Sequence, residues 1–116
     1  MNSVIIKNDK IIVANKVEQA DSFIKRLKGL MGKPGLAPGE GLLLKNCSSI
    51  HCFFMKFPID VVYLSADMKV LAVETIYPWR LGSFVKGAKH VLELPIGAAG
   101  NLALGEIIRI EELEFI

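Results

Sequence analysis

Four charged side chains sit in stretches that are otherwise apolar. Lys56 and Asp60 lie in CSSIHCFFMKFPIDVVYL (47–64), Arg80 ends the aromatic loop YPWR (77–80), and Glu93 lies in HVLELP (90–95). A charge in such a run is costly unless it is paired or its face of the strand is wet. Read as a strand, the central run places Lys56 and Asp60 on one face, four residues apart and too distant for direct contact. Each then needs a partner from elsewhere, and pattern alone offers Arg80 for Asp60 and Glu93 for Lys56. Two structural salt bridges are the plain outcome. The functional outcome is a concave polar spot rimmed by Trp79 and Phe54, suited to a small zwitterionic or peptide-like ligand. Tryptophan and arginine are over-represented where binding energy concentrates, so Lys56, Asp60, Trp79, Arg80 and Glu93 form the expected ligand-binding set.

A second constellation is Cys47, His51, Cys52 and His90. Zinc asks for three or four such ligands, but these spacings match no standard zinc pattern. No metal and no other cofactor is expected. A cysteine nucleophile needs an adjacent, oriented base, and His90 reaching Cys52 across strands would provide one. Asp60 or Glu93 acting as a base is the other catalytic option. These make a small hydrolase the alternative to a non-catalytic binding or accessory module. Two buried, inert thiols are the plain reading of the cysteines. GLMGKPG (29–35) lacks the spacing of a phosphate-cradling or dinucleotide-binding loop.

The elements that must position these residues come from one domain, since 116 residues match the commonest domain size. With 52% hydrophobic and 22% charged residues the chain is not disordered. Fourteen basic against twelve acidic residues give no reason to expect nucleic acid as partner. Mean hydropathy is high at +0.42. Even so, the longest uncharged run, Leu94–Gly105, contains three glycines and falls short of the roughly 18 apolar residues that a spanning helix needs. No membrane span is expected. MNSVIIKNDK has neither a basic start nor a long apolar core. With two cysteines that suit a reducing compartment, this makes the cytoplasm the expected location.

Short β-type runs dominate: Val4–Lys7, Lys10–Val17, Gly41–Lys45, Ile50–Met55, Ile59–Ser65, Lys69–Ile76, His90–Leu94 and Ile107–Glu111. Turn signals at Asn8-Asp9, Pro38-Gly39, Ala66-Asp67 and Gly105-Glu106 separate them. Asn8-Asp9 reads as a hairpin loop, and Pro58 as a break in the central strand. One segment has helical spacing. Phe23, Leu27, Leu30 and Met31 line one face of a helix over 21–31, with Asp21 as cap and Gly32 and Pro34 as stop. A shorter helical turn is expected near Gly97–Leu104. The expected fold is mostly β (α+β): a compact antiparallel, barrel-like sheet with one main helix near 21–31.

Four blocks carry a family resemblance: RLKGLM (26–31), IHCFFMKFPIDVVYL (50–64), YPWR (77–80) and HVLELPIG (90–97). In this order the chain resembles the DUF192 family, a small bacterial and archaeal domain of unknown function. The matching features are Gly29-Leu30-Met31, Met55-Lys56, Pro58-Ile59-Asp60, Val91-Leu92-Glu93 and Gly105-Glu106. Phe53-Phe54-Met55 stands where many relatives have Phe-Trp-Met. The resemblance implies a single DUF192-like domain over 1–116 with a compact β-rich fold. It implies no activity, so the ligand expected from the residues is an unidentified small polar molecule or peptide segment.

Overall fold

A computed structural model describes residues 3–7, 11–20, 33–48 and 55–112. Among these residues seven strands form one sheet: β1 (Ser3–Lys7), β2 (Ile11–Ala20), β3 (Glu40–Leu44), β4 (Ile59–Leu64), β5 (Val70–Ile76), β6 (His90–Pro95) and β7 (Ile108–Glu112). Their order across the sheet is β5-β4-β6-β3-β2-β1-β7.

The sheet corrects the barrel-like, all-antiparallel expectation in two ways. β2 and β3 pair in parallel, Lys16 opposite Glu40 through Ala20 opposite Leu44. The sheet is also open, with β5 and β7 as its edges. The edges come together around one isolated bridge, Lys69 to Ile107, where Val70 N–H donates to Glu106 C=O and Ile108 N–H to Met68 C=O. No ladder continues from it among the described residues, so the sheet does not close. Nor do the described residues contain a helix, and the main helix expected at 21–31 lies outside them. The helical turn expected near 97–104 is instead a succession of tight turns, with Ala98, Gly100 and Leu102 N–H donating to Pro95, Gly97 and Ala99 C=O. Gly97 sits at φ +86°, a left-handed conformation that interrupts a helix.

Most strand expectations hold to within a few residues. The β1–β2 hairpin is present, Lys7 opposite Ile11, with its turn outside the described residues. Pro58 precedes β4, whose first residue is Ile59. Residues 50–54 of the expected Ile50–Met55 strand lie outside the described part, and Met55 itself is not in a strand.

Both faces of the sheet are covered. One core gathers Leu42, Leu44, Ile59, Val61, Tyr63, Ile76 and Val91. The other gathers Ile5, Val17, Leu43, Val62, Leu64, Leu92, Leu94 and Ile108. All six residues of β4 are buried. Strands covered on both faces read as continuous apolar runs, and so IDVVYL and VLEL show little alternation. Among the described residues two complete connections cross the sheet, one per face. Residues 77–89 join β5 to β6 and pack Val85 and Ala88 on the first core. Residues 96–107 join β6 to β7 and pack Ala98, Ala99 and Leu102 on the second.

Candidate functional site

The two embedded carboxylates are neighbours in the sheet and yet do not meet. In the β4–β6 ladder Asp60 faces Leu94, and Val61 faces Glu93. Side chains alternate along a strand, so this offset of one residue sends Asp60 and Glu93 to opposite faces. They cannot act on one substrate as a pair.

Asp60 shares its face with Val62 and Leu64 and is 5% exposed. Its carboxylate is well supplied with donors. Thr75 Oγ1, opposite it on β5, donates to Oδ1 at 2.8 Å. The Ala99 N–H donates to Oδ2 at 3.1 Å. Asp60 therefore ties the 96–107 crossing to the sheet. The expected Arg80 is not a partner, and neither of Asp60's hydrogen-bond donors here is a cation.

Glu93 is 3% exposed and stands on the other face, between Val61 on β4 and Leu42 on β3. Its Oε1 is buried without a hydrogen-bond partner. Burial in apolar surroundings raises its pKa to about 8, so the group is a neutral acid near neutral pH. No ion pair among the described residues joins it to Lys56, which is exposed.

Glu74 sits one position further along this row, opposite Val61 on β5. Tyr63 Oη donates to its Oε2 at 2.6 Å, and Ser83 donates through its N–H and its Oγ, each at 2.9 Å. Burial pushes the Glu74 carboxyl up, but the bonds from Tyr63 and Ser83 outweigh it and hold the group below its usual range. Glu74 thus anchors the 77–89 crossing as Asp60 anchors the other. The sequence reading missed Thr75, Ala99, Glu74, Tyr63 and Ser83. The hairpin turn at Ala66-Asp67 signalled which strand lies beside Asp60, but counting outward from it puts Val73 opposite Asp60, and the irregularity between Tyr63 and Leu64 helps to move the partner on to Thr75.

Trp79 and Arg80 lie on the 77–89 crossing, and both are exposed. Tyr77, Trp79, Leu81 and Phe84 are 58%, 58%, 70% and 90% exposed. Trp79 adopts φ +66°, a left-handed conformation uncommon for a bulky residue. The Arg80 N–H closes the turn onto Tyr77 C=O at 3.3 Å. The five residues of the expected set thus divide between an exposed group, Lys56, Trp79 and Arg80, and two buried carboxylates on separate faces.

The Cys/His constellation is described only in part, since His51 and Cys52 lie outside the described residues. Cys47 is a thiol, and its N–H donates to Lys89 C=O. His90 accepts the Asn46 N–H at Nδ1, 3.1 Å away. Burial and then the Lys45 charge hold its pKa below the usual histidine value. Among the described residues no three histidine, cysteine or acidic side chains cluster as a metal site would require. No described helix is long and apolar enough to cross a membrane.

Comparison with known proteins identifies the family and the fold. The sequence model of the DUF192 family, described as an uncharacterised ACR, matches residues 4–110. The chain belongs to the DUF192 family. A UPF0127 protein of Pyrococcus abyssi is 37% identical over 103 residues, covering 84% of this chain and 86% of the relative. One from Pyrococcus horikoshii is 42% identical over 85 residues, covering 71% and 74%. Two solved structures share the fold of this DUF192 chain. A Sinorhizobium meliloti protein described as a "putative transcription regulator" superposes with a TM-score of 0.76 at 20% identity, covering 92% of this chain and 90% of that one. A Novosphingobium aromaticivorans protein of unknown function gives 0.75 at 17%, covering 92% and 82%. At such identities the likeness is one of fold alone.

Proposed function

We propose that this DUF192 chain is a non-catalytic binding module whose recognition element is the 77–89 crossing. The observation that carries this reading is the exposure of Tyr77, Trp79, Leu81 and Phe84 within one short segment. Large exposed apolar groups concentrated in one place mark interaction surfaces, and tryptophan, tyrosine and arginine supply most binding energy where they occur together. The segment is tied down within its length by Ser83 on Glu74 and by Val85 and Ala88 in the core. A rooted loop loses little freedom on binding, which favours affinity. In this reading Lys56 and Arg80 contribute exposed charge, whereas Asp60 and Glu93 serve the scaffold. The cytoplasm is the setting that best suits the Cys47 thiol.

The test is a displayed library of random peptides, selected on the wild-type protein and counter-selected on a Leu81→Ser/Phe84→Ser variant. Alongside it, lipid vesicles are tested on the same two proteins. Binding to either class that the variant loses supports the reading. Wild-type protein that binds neither class, or a variant that binds as well as wild type, refutes it.

A further inference from the structure

We infer that the 77–89 crossing docks on an anionic lipid surface, an inference that rests on the binding-module reading and names its partner. The shape of the segment comes first. Its apolar groups protrude, and Phe84 is almost wholly in solvent at 90% exposure. A protein partner must offer a matching pocket to each protruding side chain, whereas the acyl boundary of a bilayer receives them without one.

The chemistry agrees with the shape. Leu81 and Phe84 are side chains that enter the acyl region, and Tyr77 and Trp79 are those that settle at the headgroup level. The charges supply the rest of the argument. Residues 77–89 hold three cations, Arg80, Lys86 and Lys89, and no acidic residue, and all three cations are exposed. The acid nearest this segment's base, Glu74, is occupied by Tyr63 and Ser83 on the sheet side. A protruding apolar tip flanked by cations of one sign complements a surface that is apolar beneath and anionic above. A neutral bilayer satisfies only half of it.

The segment is tied to the sheet in its middle and at its end. Ser83 is held by Glu74, and the Lys89 N–H donates to Leu64 C=O at 2.8 Å. Leu81 and Phe84, on either side of the Ser83 tie, enter the membrane in this proposal while the sheet stays outside. This is peripheral attachment by a loop and requires no spanning helix.

Trp79 is the only tryptophan of the chain, so its emission reports on this segment alone. The experiment titrates the purified protein with vesicles of phosphatidylcholine and with vesicles of phosphatidylcholine mixed equally with phosphatidylglycerol. The expected result is a blue shift of Trp79 emission on the mixed vesicles, with affinity roughly a hundredfold above that for phosphatidylcholine alone, as three cations near an anionic surface supply. Phe84→Ser should weaken binding about tenfold or more, as loss of a buried aromatic does. A Lys86→Gln/Lys89→Gln variant should lose most of the preference for phosphatidylglycerol. Ile12→Ser, which removes an exposed apolar residue outside the segment, should bind as wild type.

No shift on mixed vesicles overturns the lipid inference. So does equal binding to both vesicle types, or a shift that grows with protein concentration in the absence of vesicles, which would signal self-association. A loop-dependent peptide from the displayed library would leave the binding-module reading standing in any of these cases. Its absence would remove that reading as well.

Discussion

The two faces of the sheet treat the same kind of side chain differently. Asp60 and Glu93 are both buried carboxylates on adjacent central strands. On the Asp60 face the crossing segment bends close enough to donate its Ala99 N–H, and an edge threonine adds a hydroxyl. On the Glu93 face the crossing segment gives its donors to Glu74 instead, and Oε1 of Glu93 receives none. Burial alone therefore does not set the role of a carboxyl group. The donors that the covering segment brings decide whether it becomes a structural tie.

The largest expected effect probes the Glu93 side. Its folded pKa, about 8, is raised above the ordinary 4.5. Below pH 4.5 the group is protonated whether the chain is folded or not and costs nothing. As pH rises from there the unfolded chain releases the proton and the folded chain keeps it. Stability then falls by about 1.4 kcal/mol per pH unit and levels off above pH 8. The whole window amounts to about 5 kcal/mol. Urea unfolding of wild type and Glu93→Gln at pH 5 and pH 8 measures it, and parallel behaviour of the two proteins would contradict the assignment. The variant should show a much flatter profile and be the more stable protein at pH 8.

Asp60→Ala comes next. It removes an acceptor from a buried N–H and from a hydroxyl, and losing two such bonds with a donor left unsatisfied costs about 3 kcal/mol. Asp60→Asn keeps an acceptor and should cost less. If both substitutions prove harmless in chemical unfolding, the contrast between the faces is broken.

Gly41→Ala tests the packing behind Glu93. A Cβ there would lie 3.0 Å from both the Glu93 carbonyl oxygen and Leu94 Cδ2. Backbone cannot yield as a side chain can, so about 2 kcal/mol of overpacking cost is expected, read as a lowered Tm. Tyr63→Phe should have the smallest effect, about 1 kcal/mol, by removing one hydrogen bond to Glu74. Faster amide exchange at Ser83 would show that this bond helps root the crossing, and unchanged exchange would assign the rooting to Ser83 alone.

Much of the sheet was legible because its strands announce themselves chemically. IDVVYL, VLAVETI and VLEL are apolar enough to be strands in any context, and their turns carry Gly, Asp and Pro signals. The exposed Tyr77–Arg80 loop was likewise visible as an aromatic loop with a cation. What escaped was register between strands distant in sequence. Asp60 and Glu93 were expected to converge because both interrupt apolar runs, yet which face each occupies depends on the β4–β6 offset. The segment 65–89 between those strands sets that offset, and no local pattern encodes it. The barrel-like expectation failed for a related reason. Counting short strands cannot reveal whether the outermost two pair along their length, and here they meet around the one Lys69–Ile107 bridge without forming a ladder.

The pairing of β1 with β7 has its own consequence. Ser3 stands opposite Glu112 and Lys7 opposite Ile108, so the earliest described strand completes its pairing only with the latest. A chain emerging from the ribosome can form the β1–β2 hairpin at once. It must then hold one side of β1 unsatisfied until the last strand has been made. Pairings between such distant segments bear the largest loop-closure cost and slow folding accordingly. The same adjacency makes the molecule a natural subject for circular permutation. A short linker running from Glu112 to Ser3, with new termini opened at the Ala66-Asp67 turn, would turn that slowest pairing into a local hairpin.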